Sequence, residues 1–289
     1  LTSAPIDLAR AERVAIEAAE AAGTLLRGGE REPAGIRPKG SAGDVVTDLD
    51  VAAEKLILER LQSVYPDHQI IAEESGVLGA EDACVWLVDP LDGTNNVAIG
   101  LPVYSVGIAL CHDKIPVLGV VHSPVTGQTW SATRHGGTRG PGGGALRPAV
   151  RPPGPRPVLA WTQGHGVGSG DRSARALKLL LEARALRLLQ LWAPLLAWVM
   201  LARGHIDGIV GYRAEMVDLP AGALLAVEAG LAVHALDGSP FDHRIDLPDR
   251  DRSFVAGRPE LIGGLLEMVA AAERMEPGLT RAVGPVTAP

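Results

Sequence analysis

The sequence predicts a layered α/β fold, and three observations carry the prediction. Two alanine- and glutamate-rich segments near the start have helical spacing. Five short apolar runs, each bounded by turn residues, follow them as strands of a mostly antiparallel sheet. Beyond a Gly/Pro-dense interval, helical and strand-like segments alternate.

The first helix is expected over residues 6–27, where Leu8, Val14, Ala18, Ala22 and Leu25 fall near helical spacing. A second should follow Thr47 over about 50–64, with Leu56, Ile57, Leu61 and Val64 on its buried face and Pro66 ending it. The strand-like runs are 69–72, 84–88, 103–111, 116–122 and 128–132; Tyr104, Val106, Ile108 and Leu110 alternate along the third. Residues 136–157 are so rich in Gly and Pro that they read as a linker or flexible loop, dividing the chain into halves at 1–150 and 151–289. Past it, 174–189 and 193–202 look helical, 206–212 strand-like and 219–228 helical, while 275–289 should fray.

Bulk properties narrow the function. With 46% hydrophobic and 21% charged residues among 289, the composition is that of a soluble globular protein with a sizeable core. A net charge of −7 offers no basic field for nucleic acid or an anionic membrane. A phosphate-handling protein with that balance must neutralise its ligand locally, and bound divalent cations are one way. Cys84 and Cys111 sit in apolar, strand-like runs and read as buried thiols rather than a disulfide framework. The first residues lack a signal pattern, and the most apolar run, 188–202, is broken by Gln190 and Pro194 and falls short of the ~20 residues a span needs. A cytoplasmic protein is expected.

Three acidic segments carry the chemistry. One run ends in Glu73-Glu74-Ser75, another in Asp89-Pro90-Leu91-Asp92-Gly93-Thr94, and Thr47-Asp48-Leu49-Asp50 opens a helix. Taken singly, each has an ordinary reading as a solvated strand end, a turn or a capping box. Acidic residues at the exits of buried strands are nevertheless costly unless something neutralises them. Asp89 and Asp92, joined by a Pro-Leu turn, can converge on one hard cation, with the Leu91 carbonyl adding an oxygen. Gly93 permits the tight turn, and the helix begun by Thr94-Asn95-Asn96 would offer its N-terminus to a phosphate.

These motifs, with Asp218-Leu219-Pro220-Ala221-Gly222 downstream, resemble the inositol monophosphatase family from about Val14 to Met268. The resemblance implies an αβαβα sandwich, a Mg²⁺-dependent phosphomonoesterase and a homodimer. It implies that Glu73, Asp89 and the Leu91 carbonyl hold one Mg²⁺ and that Asp89, Asp92 and Asp218 hold a second. A third, looser ion would sit near Glu73. Thr94, bonded to Asp50, would position the attacking water together with Glu73, while the Gly93 and Thr94 amides, with Asp92 beside them, would bind the phosphate. Lys39 matches a family lysine near the metal site, and lysines are scarce here: Lys39, Lys55, Lys114 and Lys178.

The chain also departs from the family pattern. Val217 replaces a tryptophan and Pro220 enters the downstream motif. Trp192-Ala193-Pro194 stands where a Gly-Ser/Thr-Ala stretch faces inositol, and Gly211 stands where inositol-specific members carry glutamate. The segment 163–168 replaces a Ser-rich turn, and its His165 reads as a substrate contact or an exposed loop histidine. Asn95 stands where 3′-nucleotide-type relatives place lysine. The expected substrate is a small polyol, cyclitol, sugar or amino-alcohol phosphate bound near His165 and Arg213. The alternatives are a non-catalytic metal-binding module or a specialised bisphosphatase or nucleotidase.

Overall fold

The computed structural model describes residues 6–29, 35–39, 44–149 and 154–282, with side chains as far as Met275. The first helix, α1 (Leu8–Gly29), buries Ala11, Val14, Ala15, Ala18, Ala22 and Leu26. Leu26 closes this stripe, and the expected Leu25 is only partly buried beside it. A two-stranded ladder of β1 (Arg37–Lys39) and β2 (Asp44–Val46) leads into α2 (Asp48–Val64). Thr47 and Asp50 form a reciprocal capping box at its start. The buried face of α2 is Ala53, Ile57, Leu58 and Leu61; Leu56 and Val64 are only partly covered.

Seven strands make the larger sheet: β3 (Gln69–Ala72), β4 (Gly76–Leu78), β5 (Cys84–Asp92), β6 (Ser105–His112), β7 (Ile115–Ser123), β8 (Gln128–Thr133) and β9 (Gly137–Arg139). Their order is β4-β3-β5-β6-β7-β8-β9, and only β3 and β5 pair in parallel. A short helix, α3 (Thr94–Ala98), follows β5. The expected linker begins as an ordered edge strand instead. Gly137 turns the chain at φ +76°, and Thr138 is buried, its hydroxyl donating to the Leu225 carbonyl at 2.7 Å. Residues 150–153 lie outside those described.

The smaller sheet takes β10 (Val158–Gln163), β11 (Arg187–Leu189), β12 (Gly208–Tyr212), β13 (Ala232–Ala235) and β14 (Phe254–Gly257), in the order β11-β10-β12-β14-β13. Helices α4 (Arg172–Arg184), α5 (Pro194–Ala202), α6 (Leu219–Glu228) and α7 (Pro259–Ala282) accompany it. Two expectations are corrected here. The helix predicted over 174–189 stops at Arg184, because Arg187–Leu189 finds a parallel partner in β10. The tail predicted to fray from 275 continues α7 to Ala282; residues 283–289 lie outside those described.

The layers stack as helix, sheet, helix, sheet, helix. Helices α1 and α2 cover one face of the large sheet. Leu195 and Val199 of α5 and Leu224 and Leu225 of α6 pack on its other face against Leu87, Val121 and Trp130. The same two helices cover the small sheet, Trp198 of α5 and Ala223 of α6 packing with Phe254 of β14, and α4 with α7 close its far side. The two halves therefore share a central helical layer. No helix among the described residues is long and apolar enough to cross a membrane.

Candidate active site

Parallel pairing of β3 with β5 brings their C-terminal ends to the same edge: Ala72 faces Val88, and the Glu73 N–H donates to the Val88 carbonyl. In a regular strand, residues three apart point to opposite faces. Between Asp89 and Asp92, however, β5 spends two residues where β6 spends one, since Asp89 opposes Gly107 and Asp92 opposes Ser105. This bulge, at Pro90 and Leu91, restores Asp89 and Asp92 to one side. Proline suits it because no N–H is required there. Gly107 leaves room opposite Asp89, which a Cβ would take from Leu195.

Asp89 and Asp92 are 1% and 4% exposed. Burial, then the charges of Glu73, Asp218 and Asp92, drives the Asp89 carboxyl well above the usual range. Burial and Asp218 do the same to Asp92, opposed by bonds from the Ser105 hydroxyl and the Leu195 N–H, both 2.9 Å from Oδ2. The Leu195 amide belongs to the first turn of α5, so the positive end of that helix faces Asp92. Asp218 begins α6 without capping it, and its carboxylate reaches Asp89 instead. Burial and Glu73 raise its pKa as well.

Thr94 Oγ1 lies 2.6 Å from Asp50 Oδ1 and 2.9 Å from the Leu91 carbonyl oxygen. The other oxygen of Asp50 is held by the Thr47 N–H (2.8 Å) and hydroxyl (2.5 Å). Burial raises Asp50, partly offset by those donors and by Thr94. Lys39 Nζ donates to Glu73 and Glu74, each at 2.7 Å. Burial pulls the Lys39 ammonium down, but the two carboxylates outweigh it and raise its pKa.

A cavity of about 550 Å³ opens over this cluster. Of the residues expected from the sequence, Glu73, Asp89, Leu91, Asp92, Gly93, Thr94, His165 and Asp218 line it, as does Lys39. Asp50 stands behind Thr94. His165 Nδ1 is 3.6 Å from Asp44, and the His165 backbone N–H donates to the Glu215 carboxylate at 2.7 Å. Arg213 is not part of the lining; its guanidinium lies 3.9 Å from Asp171 and over the Tyr212 ring. Gly211 is likewise absent from the lining, and a Cβ there would collide with the Phe254 ring.

Sequence reasoning missed several supports. Glu54, buried on α2, accepts from the Glu74 N–H and the Ser75 hydroxyl and fixes the exit of β3. Asn96 donates to the carbonyls of Val103 (2.7 Å) and Leu191 (2.6 Å), tying α3 to the opposite half. Trp161, Lys178, Gln190 and Trp192 also line the cavity. A polar residue buried inside an apolar helical stripe was the available signal for Glu54; the others depend on contacts remote in sequence.

Among the described residues no three His, Cys, Asp or Glu side chains converge as a ready-made metal cage. Glu73 faces Asp89 and also accepts from Lys39. The donor chemistry still fits a hard cation: Glu73, Asp89, Asp92, Asp218 and Leu91 line one cavity, Asp89 and Asp92 are almost wholly buried, and burial with mutual repulsion raises the pKa values of those two.

A model described as the inositol monophosphatase family matches residues 7–272. Inositol monophosphatase 1 of Solanum lycopersicum is 32% identical over 240 residues, covering 79% of this chain and 85% of the relative. Nus factor SuhB of Escherichia coli strain K12 is 33% identical over 260 residues, covering 88% and 93%. Among solved structures, the IMPase of Thermotoga maritima superposes with a TM-score of 0.78 at 23% identity, over 90% of this chain and 97% of that one.

Proposed function

Because the chain belongs to the inositol monophosphatase family, and so is a phosphoric monoester hydrolase of a generally metal-dependent kind, we propose that it acts on a small polyol, cyclitol, sugar or amino-alcohol phosphate. In this reading Mg²⁺ is the metal, in two or three sites provided by Glu73, Asp89, Asp92, Asp218 and the Leu91 carbonyl. When bound, such ions neutralise phosphate oxygens and lower the pKa of a water.

The observation that carries the reading is the Thr94 hydroxyl held 2.6 Å from the buried Asp50 carboxylate at the edge of the carboxylate cluster. Donating to Asp50 leaves the lone pairs of Thr94 Oγ1 to accept a hydrogen bond from water, whose proton can move to Thr94 as the Thr94 proton passes to Asp50, and Glu73 is a second acceptor for the same molecule. Asp50 is locked by Thr47 and cannot swing away. The Gly93 and Thr94 amides hold the phosphate, with Asp92 beside it. The C-terminal lining residues His165, Gln190 and Trp192 meet the alcohol; Arg213, tied to Asp171, is left out of that set.

The test is phosphate release from a broad monoester panel with Mg²⁺. Turnover that disappears on chelation and in Asp89→Asn supports the proposal; release from none of the panel overturns it. A cytoplasmic homodimer belongs to the same reading, and light scattering checks the assembly. The relative named Nus factor SuhB raises a second, non-catalytic role. The Lys39–Glu73 pair and the Val217 and Pro220 departures favour it, and Mg²⁺ binding without turnover would be its mark.

A further inference from the structure

The cavity's two lysines have different partners. Lys39 is committed to Glu73 and Glu74. Lys178, on α4, lines the same cavity, and its ammonium lies 5.4 Å from the centroid of the Trp161 ring. Helix α4 offers Glu182 one turn away, the spacing at which Lys55 and Glu59 pair at 3.9 Å on α2. Lys178 takes the tryptophan and the cavity instead. Of the basic residues on α4, Arg172, Arg175 and Arg184 are outside the lining; Lys178 is within it.

The indole beneath it is fixed. Trp161 is buried on β10, and its Nε1–H donates to the Gln163 side chain at 3.0 Å. Burial pulls the Lys178 ammonium below its ordinary value, and no carboxylate counters that effect. Among the described residues, then, a half-buried cation faces a cavity with no anionic partner of its own. The same cavity is lined by the acidic cluster that, on the reading above, receives the scissile phosphate.

We propose that Lys178, held on the face of Trp161, forms a second anion subsite, so that the preferred substrate carries a remote phosphate or carboxylate on a sugar-sized frame besides its scissile phosphate. The inference rests on the phosphomonoesterase reading and narrows its substrate class. A cavity of about 550 Å³ has room for a hexose with an anionic group at each end. A lysine acts as a point charge, so phosphate and carboxylate both suit it.

The test uses two matched pairs: fructose 1,6-bisphosphate against fructose 6-phosphate, and 6-phosphogluconate against glucose 6-phosphate. The first pair reads a remote phosphate, the second a remote carboxylate. In the wild-type protein with Mg²⁺, kcat/KM should favour the doubly anionic member of at least one pair by about tenfold or more. Lys178→Met should collapse that ratio, mainly through KM, and Lys178→Arg should retain most of it. Circular dichroism shows that the variants fold. A ratio near one in the wild type, or one unaffected by Lys178→Met, overturns the subsite. Should none of the four compounds be turned over, the phosphomonoesterase reading fails for this substrate class and calorimetry decides the subsite. Tighter binding of a doubly anionic compound that depends on Lys178 sustains it; equal binding by both proteins sinks it.

Discussion

At Gly93 the backbone takes φ +102°, and a Cβ there would lie 2.8 Å from the Val103 carbonyl oxygen. Backbone strain and collision act together, so Gly93→Ala should cost about 1–3 kcal/mol, read as a lower urea midpoint, and should reduce phosphate release further by displacing Thr94. Asp50→Asn keeps the shape but removes the charge that holds the Thr94 hydroxyl. We expect kcat to fall by roughly 10²-fold or more with little change in KM; steady-state kinetics on any accepted monoester checks it. His122 belongs to a different part of the molecule, where burial lowers its pKa from 6.5. The unfolded chain therefore takes up this proton before the folded one does. The stabilising contribution is complete above pH 6.5 and is lost as pH falls toward the folded value. His122→Gln should flatten that acid limb in thermal melts across pH.

Among the elements, the bulge of β5 and the start of α5 do most to set the cluster. Both donors to Asp92 come from other elements, Ser105 on β6 and Leu195 on α5. Ser105→Ala leaves one of them and should destabilise the protein by about 1.5–3 kcal/mol, as for a buried bond to a charged group; differential scanning calorimetry measures it. The acidic turn was legible because bulge, proline and glycine all lie within six consecutive residues. Its supports were not: Ser105, Leu195, Asn96 and Glu54 reach the site through contacts 13 to 103 residues away in sequence. Local propensity also misled at Arg187–Leu189, where leucines that favour helix pair with β10 instead. Gly137–Arg139 is the mirror case, a Gly-rich stretch held as a strand by the edge of β8.

For the whole molecule, the buried carboxylates make folding and ion binding one problem. Charges that repel in the folded state are relieved when a cation binds, and ligand at 100 times its dissociation constant adds about 2.7 kcal/mol of stability. Mg²⁺ should raise the melting temperature of the wild type and do so far less in Asp89→Asn. The helical layer shared by the two sheets carries this stabilisation across both halves, so a single cooperative transition is expected. The bond from the Leu195 N–H to Asp92 then has a spectroscopic use. Its amide sits on α5, on a different element from the Asp89–Thr94 turn, yet its proton points at a carboxylate whose charge would change if the proposed ion bound. A single backbone resonance, labelled with ¹⁵N-leucine, would thus report from a separate element how full the centre is, with no probe added to the site itself.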